Sequence, residues 1–458
     1  MQASEVRTAA QVRRLIAERD LDYLKVGVFD ADGVFRGKFM GRDKFLGALD
    51  KGFGFCDVVL GWDSADQLYD NVGFTGWHTG YPDAQVRILP ASCRDVPFEF
   101  DGKGLLFLAE FAGPAEAICP RGVLRRIVDR ARGLGFDAVA AFEYEFFLFD
   151  ETPRSAADKG YRDLTPLSPG NFGYSLLRAS TWADFHTTFL ETCTAMDFAL
   201  EGLHTETGPG VMEASIDKDL ALAAADKAAL FKTFAKVLAQ RHGLLATFMA
   251  KWSADYPGQS GHIHLSLKAR RGKRSALHDA KAPDGLSATM RHFIAGQQAL
   301  MPELLAMIAP TVNSYTRLIP GFWAPTDATW GLDNRTCALR AITGTPAAQR
   351  IEYRVAAADA NPYLALAAAL GSGLYGIENK LEPSRPVAGN AYDAKQPRRL
   401  QLPRRLGEAA ARLKASEAAR ELFGDAFVEH FAASREWEER ESRRAITDWQ
   451  LQRYFEII

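Results

Sequence analysis

Three segments of this chain carry ionisable side chains two residues apart inside otherwise apolar runs. They are Phe142-Glu143-Tyr-Glu145-Phe-Phe-Leu-Phe149, Gly261-His262-Ile-His264-Leu-Ser266-Leu267 and Arg350-Ile-Glu352-Tyr-Arg354. On an extended strand, side chains two apart point to the same face of the sheet. Each run therefore predicts a strand that aims two polar groups to one side of a packed sheet. Between the first two runs, His204-Thr-Glu206-Thr-Gly-Pro-Gly-Val-Met-Glu213 adds two carboxylates around a Gly-Pro-Gly turn. Glu143, Glu145, Glu206, Glu213 and Glu352, with His262, supply the hard oxygen and imidazole donors that suit Mg²⁺ or Mn²⁺. Nearby arginines suit phosphate opposite such metals.

Taken singly, each element has an ordinary reading. Glu-x-Glu on a strand is most often a solvated face, and a single His-x-His is more often core or surface than a ligand. Gly208-Pro209-Gly210 alone is a turn, and Arg335 and Arg340 alone are surface arginines. Their combination is what points to a site. The 458 residues predict one large domain plus a smaller one. A formal net charge of −2 gives no footing for nucleic acid or an anionic membrane. No apolar run approaches the ~20 residues of a membrane span. The opening Met-Gln-Ala-Ser-Glu-Val-Arg has no apolar signal core. Five scattered cysteines (Cys56, Cys93, Cys119, Cys193, Cys337), none in Cys-x-x-Cys, predict reduced thiols in a cytoplasm.

Periodicity predicts a helix over 9–20 and a hairpin over 24–40 around Asp30-Ala-Asp32-Gly33. Further strands are expected at 57–60, 85–89 and 104–111. The aperiodic stretch 61–83, rich in Gly, Asp and Trp, is long enough to predict a functional loop. Pro120 opens a helix that runs to Gly133. Other helices are expected at 181–198, 218–243, 286–308, 360–380, 403–414 and 416–434, with a loop at 151–180. These assignments place a boundary near residue 113: a small β-rich domain over 1–112 and a large α+β domain over 113–458.

The motifs and their order resemble the glutamine synthetase family across nearly the whole chain. The blocks that carry the resemblance are Glu143-x-Glu145-Phe-Phe-Leu-Phe-Asp, His204-x-Glu206…Gly-Pro-Gly…Glu213 and Ser260-Gly-His262-x-His264-x-Ser266-Leu. They continue with Asn313-Ser-Tyr-x-Arg317-Leu-Ile-Pro320-Gly321, Asn334-Arg335…Arg340 and Arg350-Ile-Glu352-x-Arg354…Asn361-Pro-Tyr. The resemblance implies an α+β fold, with a small β-grasp-like amino-terminal domain before a catalytic domain built on an antiparallel sheet surrounded by helices. It implies ATP-dependent ligation: the γ-carboxylate of L-glutamate takes the γ-phosphoryl group of ATP, and an amine then displaces phosphate. Two to three Mg²⁺ or Mn²⁺ ions per site are implied, with Glu145, Glu206 and Glu213 on the metal facing glutamate. Glu143, His262 and Glu352 match the ligands of the metal bridging the ATP phosphates. Arg317 and Arg354 match residues that hold the substrate's carboxylates, with Gly258 near its amino group. Arg335 and Arg340 match phosphate-binding arginines, and Glu201, His264, Ser266 and Arg350 fall at nucleotide-contacting positions. The family assembles as hexameric rings, often stacked in two, with each active site shared between neighbouring subunits.

One departure bears on the acceptor. After Pro320-Gly321 the ammonia-using members carry a Glu on a flap, and Trp323 stands there in this chain. A carboxylate attracts ammonium and accepts a proton from the adduct. An indole offers only a donor and a large apolar face. The segment around Trp323 and Trp330 resembles the subgroup that γ-glutamylates organic amines, and Asp63 matches the acid that activates the amine from the neighbouring subunit. Trp62, Tyr69, Trp77 and Tyr81 favour a hydrophobic monoamine, while Asp63, Asp66, Asp70 and Asp83 keep a polyamine open. An ammonia-using glutamine synthetase and a non-enzymatic relative are the rival readings. Tyr392 lies in a segment resembling the adenylylated tyrosine of bacterial relatives, but a plain loop tyrosine is the favoured reading.

Overall fold

The computed structural model describes every residue from 1 to 458 except Lys273. Two sheets organise the chain. The first comprises β1 (Tyr23–Phe29), β2 (Phe35–Gly41), β3 (Phe53–Cys56), β4 (Asp83–Ile88), β5 (Arg94–Val96) and β6 (Gly104–Phe111), ordered β2-β1-β6-β4-β3 with β5 also on β6. The β1–β6 pair is parallel and the rest are antiparallel. The strand expected at 57–60 is instead a 3-10 turn, and β3 lies just before it. A Val-Val-Leu run that short has no period of its own to arbitrate.

The second sheet comprises β7 (Phe136–Phe149), β8 (Leu200–Thr205), β9 (Val211–Ile216), β10 (Asp219–Leu220), β11 (Leu245–Thr247), β12 (Gly261–Ala269), β13 (Trp330–Leu332), β14 (Leu339–Ile342) and β15 (Arg350–Tyr353). Its order is β13-β14-β15-β12-β7-β9-β8, with β10 and β11 also on β7. It is antiparallel except at β13–β14. Alternation along β7 sends Phe142, Tyr144 and Phe146 into the core, where they stack with Phe231 and Phe248. Glu143 and Glu145 consequently face the other way.

Helix Ala221–Arg241 packs on the aromatic face of β7. Behind it, Ala288–Ile308 and Pro362–Glu378 cross so closely that a Cβ on Gly296 would lie 2.1 Å from the Ser372 carbonyl oxygen. The helix expected at 416–434 is broken at Gly424 (φ 85°) into Glu417–Phe423 and Asp425–Ser442. The β1–β2 turn is fastened to the large sheet's helical backing. Asn361 Nδ2 donates to Asp30 O at 2.9 Å, and Arg435 pairs with Asp32 at 2.8 Å. No described helix is long and apolar enough to cross a membrane.

Candidate active site

Register gathers the loaded side chains into rows across the second sheet. His262 lies opposite Glu143, which lies opposite Ser215. Glu145 lies opposite Glu213, and Glu213 opposite His204. His264 lies opposite Glu352, and Glu352 opposite Arg340. Cross-strand partners on one face stand close enough to interact, so strand pairing alone builds a polar patch from residues far apart in the sequence.

The contacts fill in the patch. Ser215 Oγ donates to Glu143 Oε2 at 3.1 Å, and His262 Nδ1 stands 3.3 Å from Glu143 Oε1 and 3.5 Å from Glu352 Oε1. Arg340 Nη1 donates to Glu352 Oε2 at 2.9 Å, and Arg354 donates to its other oxygen. Glu145 Oε2 accepts the Ser260 amide at 2.7 Å. His204 Nε2 is 3.1 Å from Glu213 Oε1, and the His204 ring stacks on Tyr174 with centroids 4.4 Å apart.

The electrostatics follow from crowding. Burial alone would raise Glu143, but His262 and His264 hold it well below the usual carboxylate range. Burial likewise works against Glu352, yet His262, Arg354 and His264 hold it at about 2. Burial and the charges of Glu143 and Glu145 push Glu213 up, against its bond to His204. That bond raises His204 to about 9. Converging carboxylates of this kind need a cation between them. Donor atoms of Glu143, His264 and Glu352 all lie within 4.8 Å of one another, and His262 Nε2 is buried without a partner. The residues fit a divalent ion. His264, expected only at the nucleotide, therefore stands inside this donor group.

Two cavities meet at Glu143. The first, about 540 Å³, is walled by Glu145, Glu206, Glu213, Gly258, His262, Trp323, Arg335, Arg340, Glu352 and Arg354. The second, about 480 Å³, has an apolar floor of Val139, Ala140, Phe142 and Leu265 under Glu201, Ser266, Lys218 and Gln349. Glu143, Ser215, His264 and Arg350 border both. Gly258 allows a close approach: a Cβ there would lie 2.6 Å from both the Ala250 carbonyl oxygen and Arg317 Cγ. Trp323 adopts a left-handed φ of 59° and is 58% exposed.

Arg317 and Asp63, the latter expected to serve a neighbouring subunit, line neither cavity. Arg317 is fully buried behind the cavity, where it donates to Val355 O at 3.0 Å, Ser260 Oγ at 2.9 Å and Arg354 O at 3.1 Å. It braces Ser260 and Arg354 rather than facing the open space. Asp63 lines neither cavity; its Oδ1 caps its own loop, accepting the Ala65 and Gln67 amides at 2.9 and 2.8 Å. In the 61–83 loop, Tyr69 packs against Trp437, and Arg36 lies over Trp62. Asp66 and Asp70 pair with Arg36 and Arg440, both at 2.6 Å. Trp77 and Tyr81 stack edge to face at 5.4 Å, with Trp77 79% exposed. The Tyr392 hydroxyl is enclosed and makes no hydrogen bond. Sequence reading missed Ser215, Tyr174 and Lys218. Ser215 was within reach, two residues beyond Glu213 on the same strand face.

Hard donors on one sheet face, an arginine-walled cavity and an adjoining cavity with an apolar floor form the layout of an ATP-dependent ligase. The chain belongs to the glutamine synthetase family: residues 117–454 match the family profile described as glutamine synthetase, catalytic domain. It is 44% identical to the type-1 glutamine synthetase 2 of Dictyostelium discoideum, over 95% of this chain and 84% of that protein. It is 38% identical to the glutamate–isopropylamine ligase of a Pseudomonas species, over 98% of each. A solved GmaS/ADP complex shares the fold, with a TM-score of 0.83 and 26% identity over 98% of this chain and 99% of that one.

Proposed function

We propose that this protein joins the γ-carboxyl of L-glutamate to an organic amine, using ATP, and that the amine is a hydrophobic monoamine. The observation that carries the reading is Trp323, whose indole borders the carboxylate-lined cavity; the family resemblance puts it where ammonia-using members carry a Glu. An apolar wall rewards burial of an alkyl group, and it gives ammonium nothing to bind. The polyamine reading is the weaker one, because Asp66 and Asp70 already have arginine partners. The similarity to a type-1 glutamine synthetase favours ammonia as the second reading.

In this proposal Glu143, His262 and Glu352 hold one divalent ion, and Glu145, Glu206 and Glu213 another, with His264 joining the first set. Mg²⁺ or Mn²⁺ bound there would neutralise the phosphates and polarise the transferring phosphoryl group. Arg335 and Arg340 bind the phosphoryl oxygens, and Arg354 binds the glutamate carboxylate. Arg317 acts through Arg354 and Ser260 to fix that grip. Glu201, Ser266 and Arg350 position the nucleotide over the apolar floor. Trp323 shields the acyl phosphate from water while the amine attacks, and Asp63 takes the amine's proton. Phosphate release should be fast with isopropylamine or another small apolar amine, slower with putrescine and slowest with ammonium. Equal or faster turnover with ammonium would sink the reading.

Asp63 stands apart from the cluster in its own chain, and we infer that it serves a neighbouring subunit in a hexameric ring, single or doubled, in the cytoplasm. Residues 1–112 are then the unit that carries Asp63 across the interface, and 113–458 the catalytic unit. Co-assembled Asp63→Asn and Glu143→Gln subunits should recover activity that neither homo-oligomer has. A mixed assembly as inactive as its parents would place both groups in one subunit's site.

A further inference from the structure

A third cavity, about 800 Å³, lies away from the metal-donor cluster. Its walls come from the β1–β2 turn, the Asp63 loop, helices Ala221–Arg241 and Asp425–Ser442, and the segment 310–313 with Asp359. Its charges are unevenly matched. Asp32 and Glu438 pair with Arg435 at 2.8 and 3.4 Å, and Glu441 pairs with Arg440 and Arg444 at 3.2 and 2.9 Å. Asp63 caps its own loop.

The cations are less completely matched: Lys232 feels the Asp359 carboxylate across the cavity but makes no direct ion pair with it among the described residues. Lys232 is buried, and its one hydrogen bond runs to Ala360 O at 2.8 Å. Lys236 is exposed on the cavity side of the same helix. Among the described residues neither lysine forms a salt bridge, and Lys232 donates to a backbone carbonyl instead. The two ammoniums stand 5.8 and 5.7 Å from the centre of the same Phe248 ring. Burial and the nearby Lys236 charge pull Lys232 down to about 7, against the opposing effect of the Asp359 carboxylate. Asp359 shows the complementary defect. Its Oδ2 accepts Thr311 and Ser314 at 2.7 and 2.8 Å, while its Oδ1 is buried with no partner. Buried charges in folded proteins are usually paired, and an orphaned buried polar atom is met by an ordered water, an ion or a ligand.

We propose that this cavity binds a small organic anion of the α-hydroxy or α-amino acid class. Lys232 and Lys236 take the carboxylate, and the adjacent hydroxyl or ammonium donates to Asp359 Oδ1. A charge-assisted bond to each lysine supplies a direct anionic partner, and the α-substituent satisfies the orphaned oxygen. Phe248, Met249 and Trp437 supply the apolar part of the wall.

The test uses the assembled protein with Mg²⁺ and ADP saturating and no glutamate, and the Lys236 variant separates this cavity from the sheet-borne site. Glycolate, glycine and acetate are the probes, read by titration calorimetry and by the thermal unfolding midpoint. Glycolate or glycine is expected to bind and raise the midpoint, with acetate weaker. Lys236→Met, on an exposed position that leaves the fold intact, should weaken binding at least about tenfold while the ADP response is kept. Asp359→Asn should erase the preference over acetate. No response to any probe, or an unchanged response in Lys236→Met, would overturn the assignment.

Discussion

Replacing Glu143 with Gln is expected to lower kcat by about 100- to 1,000-fold with every acceptor, because several kcal/mol of transition-state charge stabilisation depends on it. Glu143 borders both cavities and touches Ser215, His262 and His264. Among the described residues no other carboxylate lines both cavities. The substitution is isosteric, so Ser215 Oγ can still donate to the side-chain oxygen. The unfolding midpoint should therefore move little while activity collapses. A collapse with an intact fold, and with ADP still bound in the absence of metal, would locate the loss at the ion. Retention of more than about a tenth of the activity would remove Glu143 from the metal set.

Trp323→Glu is expected to move the ratio of kcat/KM for ammonium over that for an apolar amine upward by about 100-fold. Roughly half of that should come from each side. A carboxylate on the flap accepts a proton from the adduct, a contribution of about tenfold at an unoptimised position against the ~10²- to 10⁴-fold of an evolved general base. Loss of the indole removes apolar contact worth about another tenfold for an alkylamine. The backbone is a fair host for the exchange. Trp323 already sits at a φ of 59°, a strained conformation for any residue with a Cβ. Replacing one such residue by another leaves that strain in place, and the side chain is 58% exposed, so stability should change little. An unchanged acceptor ratio would mean that selection is made elsewhere, with the Trp77–Tyr81 pair the next place to look.

Much of this site was legible because strands have a period of two. Glu143 and Glu145, His262 and His264, and Glu352 and Arg354 could be placed on shared faces with no tertiary information. The aromatic residues between them gave the packed side of β7. Register was beyond reach. That His262 meets Glu143 while His264 meets Glu352 depends on how β12 seats between β7 and β15. For that reason His264 was expected with the nucleotide alone and not with the donors.

Arg317 failed for a different reason. A motif fixes a residue's neighbourhood but not the direction of a long side chain, and here the guanidinium turns inward to carbonyl oxygens. In the 61–83 loop, composition could not separate Tyr69 and Trp62, which pack and brace, or Tyr81, whose hydroxyl is enclosed, from Trp77, which faces outward. Gly424 divides a helix that the apolar pattern alone runs through. The third cavity left no local trace, since Lys232 and Lys236 look like one polar stripe on an ordinary helix until Asp359 and the β1–β2 turn close around them.

The account rests on the identity of the acceptor, and a single competition tests it. The protein would be given ATP, Mg²⁺, L-glutamate and equal concentrations of ammonium and isopropylamine, with products counted by mass spectrometry. A γ-glutamyl alkylamide in large excess over glutamine is the predicted result. Glutamine in excess would contradict it and make ammonia the substrate, with some group other than Trp323 serving the second step.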